Sequence, residues 1–311
     1  MNLKPVKLLP AFKDYLWGGV KLKADFGKKS NLDKVAESWE LSMHKDGQST
    51  ILEGNDKGLT LSEYIDKYGK QLLGKDALAF DFFPILIKFI DAADNLSVQV
   101  HPSDEYALKN EGEYGKTEMW YILDCEDDAH LYYGVKSEIS KEEFTQRIKN
   151  NTLLEVLNKV KVKKGDVFFI NAGTIHAIGK GIVICEIQQN SNTTYRVYDY
   201  DRRDKNGNPR DLHIEKAIDV STLVPSVPYE SNNNILAKCK YFTVEKLECT
   251  TTQQISITKD CFKSVIVVSG SGKLMLNDET LDFCKGDSIF IPAQDGIINI
   301  DGICELIISY V

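Results

Sequence analysis

The chain has 311 residues, enough for two domains and a sizeable buried core. Hydrophobic residues at 42% and charged residues at 27% describe an ordinary folded protein and exclude disorder or a fibrous repeat. The net charge of −8, from 38 Lys plus Arg against 46 Asp plus Glu, argues against a broad nucleic-acid or anionic-membrane surface, although a small basic pocket remains compatible with it.

The start, Met1 to Phe12, is broken by Pro5 and Pro10 and lacks a signal-peptide core. No apolar run approaches the ~18 residues of a membrane span, so a cytoplasmic protein without membrane partners is expected. Leu59 to Leu73 predicts a helix: Thr60 stands three residues before Glu63, a capping-box spacing, and Leu61, Tyr64, Ile65 and Tyr68 recur at helical intervals. Short apolar runs bounded by Gly, Asp, Asn or Pro then predict strands at Phe83 to Ile90, Leu96 to Val100, Met119 to Leu123 and His130 to Val135. Ser140 to Val160 repeats the capping spacing with Glu143 and predicts a second helix through Phe144, Ile148, Leu153, Leu154 and Leu157. The alternation of lysine with valine from Lys159 to Lys164 predicts an edge strand rather than a nucleic-acid patch. Further strands are expected at Val167 to Ile170, Ile182 to Ile187, Val265 to Val268 and, after a turn, Lys273 to Leu276. Gly270-Ser-Gly272 precedes a strand and lacks a following Lys-Ser/Thr, so it is no phosphate loop.

An internal repeat sharpens this pattern. Lys164-Gly-Asp-Val-Phe-Phe-Ile-Asn-Ala172 aligns without gaps on Lys285-Gly-Asp-Ser-Ile-Phe-Ile-Pro-Ala293, with six identities in nine at an offset of 121. Each copy reads as a turn entering a strand, and two β-barrel units are the economical explanation. The polar stretch Pro225 to Asn234 is the expected connection, giving a first unit over 1–230 with helical insertions and a C-terminal barrel over 231–311. His176 follows Ala172 by four residues, whereas the equivalent position after Ala293 is Ile297. The second barrel therefore lacks metal ligands and reads as a structural or interface unit.

The seven cysteines are scattered, odd in number and never closer than ten residues, so reduced thiols packed in strands are expected, with Cys185 beside Glu186 the one to watch.

Five histidines can be weighed singly. Gln99 and His101 lie two apart on a strand and point to one face, while Val98 and Val100 face the other. Glu118 opens the next strand, where a carboxylate inside a barrel is costly unless paired or bound to a cation. With His176 these residues make a candidate N/O metal site: Gln99, His101, Glu118 and His176. One carboxylate leaves a divalent ion a residual charge of about +1, which favours Lewis-acid chemistry; zinc is the first choice, with iron, manganese, cobalt and nickel open. The competing reading is two hydrogen-bonded histidines near unrelated polar residues. His44, His130 and His213 read as surface or locally satisfied side chains. Glu186 lies within an apolar stretch and Arg196 between aromatics, so both face a lined cavity or each other. Lys116 and Arg202 could supply charge for an anionic substrate.

These segments together resemble the type I mannose-6-phosphate isomerases (phosphomannose isomerases) of the cupin superfamily, in their short bacterial form. The resemblance runs through Trp17-Gly-Gly, Ala36-Glu-Ser-Trp-Glu40, Val98-Gln-Val-His-Pro-Ser-Asp104, Gly115-Lys-Thr-Glu-Met-Trp120, Gly173-Thr-Ile-His-Ala177 and Gln188 through Arg202. It implies a mainly β fold of two cupin-type jelly-roll barrels with a few inserted helices, one zinc ion on the same four ligands, and reversible conversion of mannose 6-phosphate to fructose 6-phosphate. Arg196 is then the catalytic arginine, Lys116 and Glu186 the acid–base and polarising candidates, and Ser97, Arg202 and Asn192 the substrate and phosphate contacts. The partner is a small sugar phosphate, and a monomer or homodimer is compatible with the sequence. Longer members of the family carry aspartate where Asn192 aligns, and tyrosine where Ile178 stands. The rival readings are a non-catalytic sugar-binding bicupin and a cupin oxygenase or isomerase of another substrate.

Overall fold

The computed structural model describes residues 3–203 and 206–311. Its architecture is mainly β, built from antiparallel sheets. A six-stranded sheet runs in the order Val167–Ile170, Glu118–Cys125, Ile182–Gln189, Ile85–Ala92, Glu37–Leu41, Ala11–Lys13. A five-stranded sheet runs Leu157–Lys161, His130–Val135, His176–Ile178, Val98–Val100, Tyr195–Tyr198. Alternation along each strand sends one set of side chains into the space between these sheets, where Ile90, Trp120, Ile122 and Ile184 meet Leu96, Leu131, Tyr133 and Ile178. The outer face of the five-stranded sheet, including Val98, Val100, Ala177 and Val197, is covered by Phe144 and Ala217 from helices Lys141–Lys149 and Ile214–Val220.

The six-stranded sheet is buried on its other face as well. Ile87, Phe89, Met119, Tyr121, Cys185 and Ile187 pack with Ile266, Phe290 and Ile307 of a nine-stranded sheet drawn mostly from residues 235–310. That sheet has a further core of its own, from Val265, Val267, Leu274, Ile289, Ile300 and Leu306. Its strands are not all C-terminal: Val6–Leu9 pairs with Ser288–Ile291 and with Thr50–Ile51. Cys249 and Cys304 are register partners within it, and all seven cysteines are free.

The repeat is structural. Lys164-Gly165-Asp166 and Lys285-Gly286-Asp287 are turns with both glycines at φ 90, entering strands Val167–Ile170 and Ser288–Ile291. The Thr60/Glu63 capping box is formed at helix Leu61–Tyr68, which continues as a 3-10 turn to Leu73. Two expectations need correction. The helix predicted to Val160 stops at Lys149, where Asn151 adopts φ 61; a short 3-10 turn follows, and Leu157–Lys161 is a strand at a sheet edge. The predicted break between Val265 to Val268 and Lys273 to Leu276 is absent, because Lys263–Leu276 is one strand with a bulge near Ser269 and Gly270 at φ 76. Helix Asp104–Asn110 was not signalled by the apolar spacing, since only Ala107 on it is buried. Among the described residues no helix is long and apolar enough to cross a membrane.

Candidate metal centre and its cavity

Strand alternation places the ligand candidates. Val98 and Val100 are committed to the outer apolar cluster, as are Ile175 and Ala177, so Gln99, His101 and His176 turn inward. Met119 and Tyr121 pack between the six- and nine-stranded sheets, which sends Glu118 and Trp120 to the same interior. Register completes the arrangement: Gln99 lies opposite both His176 and Arg196 on its two neighbouring strands.

His101, Glu118 and His176 are buried, and their ligand atoms all lie within 4.8 Å of one another. The Gln99 carboxamide nitrogen stands 3.3 Å from His176 Nε2. His101 Nδ1 is 2.9 Å from the Thr193 carbonyl and His176 Nδ1 is 2.9 Å from the Thr174 carbonyl. A carbonyl only accepts, so both rings carry their proton on Nδ1 and present the Nε2 lone pair inward. Burial keeps both rings neutral, holding His176 down to about 4 and His101 well below its usual value. Glu118 Oε1 is buried with no hydrogen-bond partner among the described residues, although His176 Nε2 is 3.4 Å away. Burial pushes Glu118 up to about 8, against the opposing charge of Lys116. Converging lone pairs around an unpartnered carboxylate oxygen fit a cation, and the absence of thiolate in the set fits a divalent N/O-ligated metal.

Beside the cluster lies a cavity of about 240 Å³. Its lining includes Ser97, Gln99, Lys116, Glu186, Asn192 and Arg196, so the structure brings these sequence candidates together. Lys116 Nζ hydrogen-bonds Glu118 Oε2 and stands 3.3 Å from His101 Nε2 and 3.6 Å from Glu186 Oε1. Glu186 accepts from the Trp120 indole at 2.9 Å and lies 3.4 Å from Lys88 Nζ. Burial alone would raise Glu186, but Lys116 and Lys88 outweigh it and hold the carboxylate down to about 2. Arg196 Nε donates to Ser97 Oγ at 3.3 Å and its Nη1 to the Asp211 carbonyl at 2.9 Å. Asn192 is tied through Nδ2 to Asp46 at 2.9 Å. Ile178 lines the same wall.

Arg202 is placed differently. It does not line the cavity; its guanidinium is engaged by Asp199 and the Asn95 carbonyl. Cys185 turns away into the core between sheets, its thiol pushed well up by burial. His44, His130 and His213 stay outside the metal-ligating group, and His44 Nδ1 accepts from the Asp46 amide at 3.1 Å. Sequence reasoning missed Lys88, Glu37 and Arg210, all on the cavity wall. A lysine inside Ile85-Leu-Ile-Lys-Phe-Ile was a readable signal, since a charge in a buried strand demands partners. Lys88 has them at 3.6 Å in Glu37 and 3.4 Å in Glu186; burial lowers its pKa, but the two carboxylates raise it further. Arg210 sits in a loop with no pattern to mark it.

Facing antiparallel sheets with an inward histidine–carboxylate cluster that could hold a metal ion define a cupin-type protein. The profile described as "Phosphomannose isomerase type I, catalytic domain" matches residues 6–128, and "Mannose-6-phosphate isomerase, cupin domain" matches 232–311. Mannose-6-phosphate isomerase ManA of Bacillus subtilis is 41% identical over 321 residues, covering 100% of both chains. The mannose-6-phosphate isomerase of Streptococcus mutans is 38% identical over 315 residues, covering 99% of this chain and 98% of its own. The crystal structure of the Bacillus subtilis mannose 6-phosphate isomerase superposes with a TM-score of 0.89 at 38% identity, covering 99% of each chain. The chain belongs to the type I phosphomannose isomerase family of enzymes.

Proposed function

We propose that this enzyme interconverts mannose 6-phosphate and fructose 6-phosphate by moving a proton between C1 and C2 through an enediol. The observation that carries the reading is a cavity beside the ligand cluster whose wall joins Gln99 to the buried Lys116–Glu186 pair and to Arg196 and Arg210. Gln99, His101, Glu118 and His176 would hold one divalent ion, with zinc the metal their chemistry favours. When bound, it supplies positive charge that lowers the cost of negative charge developing on the sugar oxygens.

The remaining demands fall on side chains. Lys116 and Glu186 form an ammonium–carboxylate pair that offers a proton donor and a proton acceptor side by side. Lys88 keeps Glu186 ionised from the other side. Arg196, fixed by Ser97 and the Asp211 carbonyl, presents a permanent charge to the enediolate or the phosphoryl group. Ser97 and Asn192 supply polar contacts on the wall, and Arg202 braces Asp199 from behind it. Four cationic side chains (Lys88, Lys116, Arg196, Arg210) and two carboxylates (Glu37, Glu186) line the cavity, so an acidic protein presents a basic pocket to an anionic sugar. Residues 1–230 form the catalytic unit in this reading, and 231–311 a supporting unit without ligands.

Arg196→Ala tests the assignment. Fructose 6-phosphate formation should fall by on the order of 10²-fold or more while bound metal is unchanged. Wild-type turnover in the variant would remove Arg196 from the mechanism. A folded, metal-loaded wild type inactive on mannose 6-phosphate would overturn the substrate.

A further inference from the structure

Three guanidinium groups gather at one end of the cavity around a single buried carboxylate. Arg210 donates from Nε to Asp199 Oδ2 at 2.7 Å and from Nη2 to Oδ1 at 2.6 Å. Arg202 donates to the same Oδ1 and, through Nε, to the Asp199 carbonyl at 3.3 Å. Arg196 completes the group, and its charge is felt with those of Arg210 and Arg202 against Asp199 and Asp211. Arg202 has a further carboxylate at 4.0 Å in Asp94, so the added compensation falls on Arg202 rather than on Arg196 or Arg210.

The three are not equivalent. Arg202 is turned away from the cavity, whereas Arg196 and Arg210 both form its wall. A bidentate carboxylate fixes the plane of a guanidinium, and sharing that carboxylate with Arg202 leaves Arg210 only partly neutralised. An oriented, under-compensated guanidinium on a polar wall suits a tetrahedral dianion. We infer that Arg210, oriented by Asp199, anchors the phosphoryl group of the substrate alongside Arg196, with Arg202 serving as a brace for Asp199. This rests on the sugar-phosphate reading above and assigns a substrate-binding residue within it.

The test uses the metal-loaded full chain, Arg210→Met and Arg210→Lys, with inorganic phosphate as an independent probe. For Arg210→Met, KM for mannose 6-phosphate should rise about 10- to 100-fold with a smaller loss of kcat, the scale of one charged hydrogen-bonding contact. The preference for mannose 6-phosphate over mannose should collapse by a similar factor, and Arg210→Lys should recover part of it. Phosphate should raise the melting temperature of the wild type and not of Arg210→Met, with bound metal equal in both. An unchanged KM, or equal losses on mannose and its 6-phosphate, would overturn the assignment. If the wild type turns over neither sugar, the isomerase reading fails; the phosphate-dependent melting shift still decides whether Arg210 holds the anion.

Discussion

Glu118, Glu186 and Asp199 are three buried carboxylates in three electrostatic settings. Glu118 has an oxygen without a hydrogen-bond partner among the described residues, facing imidazole lone pairs, and burial pushes it up to about 8. Glu186 is flanked by two lysines and an indole and is held down to about 2, so it rests as the ionised carboxylate at neutral pH. Asp199 is raised by burial but lowered further by Arg210 and Arg202, so its pKa lies below the ordinary 3.8. The stabilisation from that arginine pairing is complete above the unfolded-state value and is lost as pH falls through the lower folded-state value. Asp199→Asn should therefore lower stability at neutral pH by roughly 1–3 kcal/mol and flatten the fall in melting temperature below about pH 4. Parallel acid limbs for wild type and variant would remove Asp199 from that account. At this scale the candidate ligands were legible from three signals: the two-residue period joining Gln99 to His101, the cost of a carboxylate at Glu118, and the repeated turn that precedes His176. Arg210 was not, because loop geometry, rather than periodicity, carries it to the wall.

Among the elements, the repeated Lys-Gly-Asp turn shows how one local sequence serves two surroundings. Gly165 and Gly286 both adopt φ 90, but a Cβ at Gly165 meets nothing within 4 Å, while one at Gly286 would lie 2.0 Å from the Phe26 carbonyl oxygen. The Gly286 carbonyl also accepts from Lys28 at 2.5 Å, and Lys28 pairs with Glu40 at 2.6 Å. Gly165→Ala should cost about 1–2 kcal/mol, the left-handed backbone penalty alone. Gly286→Ala should cost distinctly more, because backbone must move and the Lys28 contact is strained; equal losses in thermal or urea unfolding would contradict this. The turn and its strand were readable from composition in both copies. The close approach of Phe26 was not, since it joins residues 260 apart in sequence. The helix forecast from Ser140 overran for a related reason: Leu153 and Leu157 are apolar because sheets bury them, not because a helix continues.

The molecule as a whole is layered, and its central six-stranded sheet is buried on both faces, by the cavity side and by the nine-stranded sheet. That double burial explains why Ile182–Ile187, the first six residues of the strand Ile182–Gln189, read as an apolar run with Glu186 as the exception. The two-unit organisation was visible in the repeat, but the return of Val6–Leu9 to pair with Ser288–Ile291 was not, because pairing across that sequence distance leaves no local pattern. A fragment of residues 1–230 keeps every cavity-lining residue yet exposes Ile87, Phe89 and Tyr121. It should be insoluble or lack cooperative unfolding when expressed alone; a soluble, cooperatively folded, active fragment would show the C-terminal unit to be dispensable. The most direct test of the whole account is fructose 6-phosphate formation from mannose 6-phosphate before chelation, after it, and after restoring zinc and other divalent ions singly. Turnover that disappears with the metal and returns with zinc is the predicted result. Turnover indifferent to complete metal removal would contradict the reading of Gln99, His101, Glu118 and His176 as the centre of the reaction.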